Sequence, residues 1–227
     1  MRKFIYFFCL IFFSTFCISA KTVKTGYYID SGDFMSGFGP EDPKDGYAYE
    51  YLQTIASYTG WEYEYVYGSF AELIEKIKND EIALMGNVTY TEERAKDMLF
   101  STIEQGSETF YFYVLTENSD YVKSDISNLN GKKIGINAGS YQVSLFKEWC
   151  AENNIDCELI EYHDNDQRGL DLNSKELFGI IESTIKGKNS VTQYWVPVFN
   201  IGSAPFYFVV SKGKPDVFKK LNDAQET

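Results

Sequence analysis

The run Met85-Gly86-Asn87-Val88-Thr89-Tyr90-Thr91-Glu92-Glu93-Arg94-Ala95 gathers an amide, two threonine hydroxyls and a guanidinium into one short span. It begins inside an apolar stretch, Ile82 to Val88, that reads as a strand with a glycine in it. In open α/β sheets ligands gather beyond the carboxyl ends of strands, and an arginine entering a helix there forks onto a carboxylate. The competing reading pairs Arg94 with Glu93 or Asp97 on a solvated helix face, where ion pairs are common and weak. The chemistry of these residues alone leaves both open.

Catalytic signatures are absent. The chain has no His-Glu-x-x-His, no Gly-x-Ser-x-Gly, no phosphate loop and no Gly-x-Gly-x-x-Gly, so no cofactor or metal is implied. Its one histidine, His163, stands beside Asp164 and Asp166 and reads as a solvated loop residue rather than a general base. Binding without turnover is the expectation.

Met1-Arg2-Lys3 followed by the mostly apolar run Phe4 to Ala20 has the layout of a secretory leader, with a basic start, an apolar centre and a small-residue end. The apolar part falls somewhat short of the roughly 20 residues of a spanning helix, so cleavage near Ser19 or Ala20 is expected. Phe16 ahead of Cys17 argues against a lipid anchor. Loss of Arg2 and Lys3 would change the formal net charge from −12 to −14. Such a surface repels nucleic acid and anionic lipid. Cys150 and Cys157 would survive export, and their spacing leaves open a disulfide or two half-buried thiols.

The elements that must hold the Asn87–Arg94 run follow from periodicity. Thr22 to Ile29 reads as a strand, Asp30 to Gly46 as a long Gly/Asp/Pro-rich loop, and Tyr47 to Tyr58 as a helix stopped by Gly60. Trp61 to Tyr67 is a strand. Ser69-Phe70-Ala71-Glu72 is a capping box opening a helix with Phe70, Leu73, Ile74 and Ile77 inward. Thr109 to Thr116 is a strand, and the polar segment from Glu117 to Gly131 marks a lobe boundary. A second, shorter cycle follows: strand Lys133 to Ile136, turn Ala138-Gly139-Ser140, helix Tyr141 to Asn153, and strands Cys157 to Tyr162 and Phe178 to Glu182. Val196 to Val210 is again strand-like, and a helix from Asp216 is expected to stop soon after it starts. Strands alternating with helices in this way build a parallel sheet with covering helices.

At this point the sequence resembles the extracellular solute-binding proteins of family 3, over nearly all of residues 22 to 222. The resemblance rests on Gly46-Tyr47-Ala48-Tyr49-Glu50-Tyr51-Leu52, on Glu81 to Asn87 followed by Thr89, Thr91, Glu92 and Arg94, and on Gly131 to Gly135 with Gly139-Ser140. It implies an α/β, two-lobed, periplasmic-binding-protein-like (type II) fold with a ligand cleft between the lobes, the Venus flytrap arrangement. By the same resemblance Arg94 holds the ligand carboxylate, with Asn87 and Thr89 beside it from the first lobe and Ser140 and Tyr141 from the second. Physics agrees for the last two, which open a helix whose free N–H groups favour an anion. Phe34 and Phe38 of the long loop are the implied walls, or else lid residues packed on their own lobe. Amino-acid binders of the family carry an aspartate where this chain has Glu182-Ser183, so either Glu182 takes over the ammonium or the solute lacks one.

The expected organisation is a leader over 1–20, a first lobe of 21–116 plus 196–227, and a second lobe of 117–195. The implied function is extracytoplasmic binding of a small polar solute, an amino acid or related carboxylate, for ABC-type uptake through a membrane permease. The alternative is the ligand-sensing module of a truncated transmembrane signalling protein, which the Ser203 to Phe208 run and the Leu221-Asn222 ending resemble. An enzyme is the third class, since a few relatives are dehydratases.

Overall fold

In the computed structural model residues 20–28, 34–183 and 192–227 are described. Residues 1–19, read above as most of a leader, and residues 29–33 of the long loop lie outside them.

The first part of the chain forms β1 (Lys21–Tyr28), α1 (Tyr47–Thr59), β2 (Trp61–Gly68), α2 (Phe70–Lys78), β3 (Leu84–Thr89), α3 (Glu92–Ala95), β4 (Met98–Phe100) and β5 (Gly106–Leu115). Then come α4 (Ser119–Ser124), β6 (Lys133–Asn137), α5 (Tyr141–Asn153), β7 (Glu158–Tyr162), α6 (Asn165–Asn173) and β8 (Gly179–Ser183). β9 (Trp195–Ser211) and α7 (Pro215–Gln225) complete the order. The strands run β2-β1-β3-β9-β5-β8-β6-β7, with β4 added alongside β9. β1 pairs in parallel with β2 and β3, and β6 does so with β7 and β8.

Two antiparallel strands join these parallel groups. β5 pairs along most of its length with β9, and β9 reaches on to β3 and β4 through Phe206 to Ser211. Each group has its own apolar core, and the crossing strands connect the two. Phe110, Phe112, Ile134, Ile136, Phe146 and Ile181 fill one. Leu52, Leu84, Phe208 and Val210 lie on one face of the other group, with Leu73, Ile77, Met85 and Val209 on the opposite face.

The helices follow their sequence signals. Ala48, Leu52 and Ile55 give α1 its buried stripe, and Gly60, left-handed at φ 66°, ends it by donating its N–H to Ala56 O. Ser69 caps α2: its hydroxyl accepts from Glu72 N–H while the Glu72 carboxylate accepts from Ser69 N–H at 2.8 Å. That carboxylate sits below its usual pKa range because Ser69 donates to it.

Four features differ from expectation. β4 is only three residues long, too short to show a period. α6 shows no apolar stripe because its buried face is Arg168, Gly169 and Leu172. β5 begins at Gly106 rather than Thr109. α7 does not stop early: Val217 and Leu221, one turn apart, bury it against the first group, and Asn222 Oδ1 accepts from Thr102 N–H at 2.8 Å. The thiols of Cys150 and Cys157 lie 3.7 Å apart and are not bonded to each other.

The capping box generates a stability prediction. Ser69→Ala should destabilise the protein by about 1 kcal/mol, lowering the thermal midpoint by roughly 2–4 °C for a chain of this size. An unchanged midpoint in a calorimetric melt would mean that α2 does not depend on its cap.

Candidate functional site

A β-bulge shapes the first wall. Between Met85 and Val88 the β3–β9 register shifts, and Asn87 adopts φ 58°, a left-handed conformation in which asparagine is enriched. The bulge lifts Asn87 out of the ladder, so its N–H is taken by Gln105 Oε1 at 2.7 Å and its side-chain amide donates to the Tyr28 hydroxyl. Gly86 makes room for this. A Cβ there would stand 2.8 Å from Gln105 Oε1 and 3.0 Å from Phe208 Cε1.

Arg94 follows on α3, a single turn capped by the Thr91 hydroxyl. Its guanidinium donates through Nη1 to Thr89 O and through Nη2 to Gly139 O, both at 2.8 Å. The first acceptor belongs to its own wall and the second to the turn that opens α5, so this one side chain spans the cleft. It lies 5.5 Å from the centre of the Phe70 ring. Desolvation pulls its pKa down to about 10, with Glu93 acting in the opposite sense, so it stays cationic at neutral pH. Among the described residues it makes no ion pair, although the surface pairing with Glu93 or Asp97 was the competing expectation.

The second wall begins at Asn137-Ala138-Gly139-Ser140. The Ser140 hydroxyl donates to Asn137 O at 2.7 Å instead of capping the helix, so no side chain caps the start of α5. Behind it, α6 brings a charged residue into the interior. Arg168 is 2% exposed and donates to Ile181 O at 3.2 Å and to the Glu182 carboxylate on β8. The other Glu182 oxygen accepts from Ser183 N–H at 3.0 Å. The Arg168 stem passes over Gly135, whose missing side chain leaves the space.

These walls enclose a cavity of about 50 Å³. Asn87, Thr89, Arg94, Ser140, Tyr141, Glu182 and Ser183 all line it, together with Tyr28, Phe70, Glu108, Phe110, Asn137, Gln142, Asn165 and Arg168. At roughly 10–15 Å³ per water it has room for about three to five. Asn87 Oδ1, Gln142 Oε1, Asn165 Oδ1 and Arg168 Nε are buried with no hydrogen-bond partner. Buried polar groups are normally satisfied, so these four atoms are open to water or to a polar guest. On the outer side of Arg94 a wider recess of about 390 Å³ opens between α2 and α5, lined by Glu75, Lys78, Lys147 and Glu161 among others.

Phe34 and Phe38 correct one expectation, since neither lines the cavity. Phe34 is buried against Tyr27, Ala48 and Phe206, and its carbonyl accepts the Ala48 N–H at the start of α1. Phe38 lies 6.2 Å from Tyr27, ring centre to ring centre, in the same cluster. Lys44 sits over the Tyr27, Tyr65 and Tyr67 rings, which tethers the described part of the loop to its own lobe. Gln142, in the first turn of a helix whose start was recognised, was legible as a polar residue at a buried position. Arg168 carried no motif, and only the glycine opposite it hinted at a large neighbour.

The family profile of the bacterial extracellular solute-binding proteins, family 3, matches residues 33–227. The chain belongs to that family. Its fold is shared with an ancestral arginine-binding protein bound to arginine, at TM-score 0.76 and 21% identity over 90% of this chain and 91% of that one. A histidine kinase sensor domain with similarity to periplasmic binding proteins follows at TM-score 0.74 and 14% identity, over 91% and 90%. An ancestral amino acid-binding protein described as a precursor of cyclohexadienyl dehydratase gives 0.72 and 17%, over 90% and 88%. No match to a curated protein sequence was found. Among the described residues no helix is long and apolar enough to cross a membrane.

The bulge can be tested directly. Gly86→Ala should push Gln105 away from Asn87 N–H and cost about 1–3 kcal/mol, the range for overpacking a filled site. Denaturant unfolding reads the loss, and wild-type stability would show that Gln105 moves aside freely.

Proposed function

We propose that the protein binds a small polar solute carrying a carboxylate, an amino acid or a related acid, in the cleft between its lobes, and releases it unchanged. The observation that supports this most is Arg94, a desolvated cation whose two recorded acceptors are neutral backbone carbonyls, one on each side of the cleft. Carbonyl oxygens hold a guanidinium less strongly than a carboxylate, which accepts two parallel charge-assisted hydrogen bonds. A carboxylate arriving at Arg94 also meets the first-turn N–H groups of α5, so it touches both lobes at once and favours the closed form. We take residues 21–116 with 196–227 as one lobe and 117–195 as the other, with Phe110, Phe112 and Val114 of β5 packing into the second core, and closure about β5 and β9.

Membership of the family supports an exported protein, and residues 1–20 supply a leader for it. The role is then that of a binding component delivering solute to a membrane permease of the ABC type. The fold shared with a histidine kinase sensor domain favours a second reading, in which closure is reported to a signalling partner in the membrane.

Arg94→Ala should weaken binding of the solute that copurifies with the exported protein by at least about 2 kcal/mol, the scale of a lost charge-assisted pair. Isothermal calorimetry on the folded variant measures this. Wild-type affinity would remove Arg94 from the site, and a chemically altered solute after incubation would make the protein an enzyme.

A further inference from the structure

The charges inside the cavity restrict what the solute carries besides its carboxylate. Glu182 is the acid that could receive a ligand cation from β8, but both of its oxygens are engaged, one by Arg168 and the other by Ser183 N–H. Arg168 is 2% exposed, so no outward swing into water would release Glu182 to a guest. An ammonium entering here would stand beside two guanidinium groups, those of Arg94 and Arg168, with Glu182 already held by Arg168 and Glu108 the other acid of the lining. Like charges confined in a desolvated space repel strongly.

The cavity nevertheless asks for hydrogen-bond donors. Asn87 Oδ1, Gln142 Oε1 and Asn165 Oδ1 are acceptors with no partner. A hydroxyl donates its one proton to one such oxygen, accepts from Arg168 Nε, and brings no charge. The enclosed volume of about 50 Å³ selects for short molecules.

We propose that the cleft takes a small hydroxycarboxylate, whose carboxylate meets Arg94 and whose hydroxyl fills the place an amino acid would give to its ammonium. This rests on the reading of Arg94 as a carboxylate anchor. Arg168 is the specificity-determining residue, a built-in cation that occupies Glu182 ahead of any ligand. Glu108 lines the same cavity from β5.

The test is calorimetric titration of the purified protein with matched pairs: glycolate against glycine, lactate against alanine, and malate against aspartate. Acetate, propionate and succinate serve as partners lacking both groups. The hydroxy acid of at least one pair should bind about tenfold tighter than its amine and than its unsubstituted acid, a difference of about 1.4 kcal/mol. Arg168→Met, which frees Glu182, should move the preference toward the amine by a similar factor. Tighter binding of the amines by the wild type overturns the proposal and leaves the carboxylate-binding reading standing. Loss of that amine preference in Glu108→Gln would then name Glu108 as the ammonium partner. Equal binding of hydroxylated and unsubstituted acids also overturns it. Absence of binding by every compound up to about 10 mM overturns both the proposal and the reading beneath it. If Arg168→Met fails to fold, the wild-type panel decides alone.

Discussion

The Arg94 guanidinium hydrogen-bonds to both halves of this protein across their cleft. Arg94 takes one carbonyl from the end of β3 and one from the turn before α5, and it can do so only if several local features hold at once. The Thr91 hydroxyl must start α3 where it does, and the residue at 139 must turn its carbonyl toward the cleft, which Gly139 does at φ 68°. Phe70, held at the start of α2 by the Ser69 cap, supplies the ring face over which the guanidinium lies. Each feature is modest in energy. Together they place a desolvated cation at the cleft, its hydrogen bonds going to two neutral carbonyls.

The second buried charge system has a different character. Arg168 and Glu182 are both nearly inaccessible, and a pair of that kind adds little net stability, although removing one partner costs roughly 3–5 kcal/mol because the other is left uncompensated. The pair therefore acts as a constraint. It fixes α6 against β8, and it sets the local charge of the cavity floor before any solute arrives. In the proposed reading Arg94 and Arg168 divide the work: the first meets the solute's carboxylate, and the second sets which other groups the floor tolerates.

Much of this architecture was legible because it is encoded locally. The stripe Leu73, Ile74 and Ile77 behind a capping box, the left-handed Gly60 after α1, and the helix Tyr141–Asn153 each announce themselves within a few residues. The Asn87–Arg94 run was legible for the same reason, since a strand end, a cap and an arginine lie in one segment. What stayed hidden was nonlocal. α6 lacks an apolar stripe because its inward face carries Arg168, and that arginine's partner is fourteen residues away on a strand. Phe34 and Phe38 misled for the converse reason: aromatic residues in a loop near a cleft suit a ligand wall and a tyrosine-rich packing cluster equally well, and only the tertiary fold, through Tyr27 and Phe206, separates the two. The polar composition of α7 concealed how far that helix runs, held by two well-spaced apolar residues and one asparagine.

If the Arg94 bridge is the interaction on which the closed cleft depends, removing it should be visible without any ligand. Small-angle scattering of the ligand-free wild type and of Arg94→Ala, both confirmed folded by circular dichroism, compares their radii of gyration at matched concentration. The account predicts a larger radius for the variant, because Thr89 and Gly139 lose the side chain that connects them and the lobes separate about β5 and β9. Identical scattering curves would contradict it, and would mean that packing elsewhere, rather than this guanidinium, holds the two halves together.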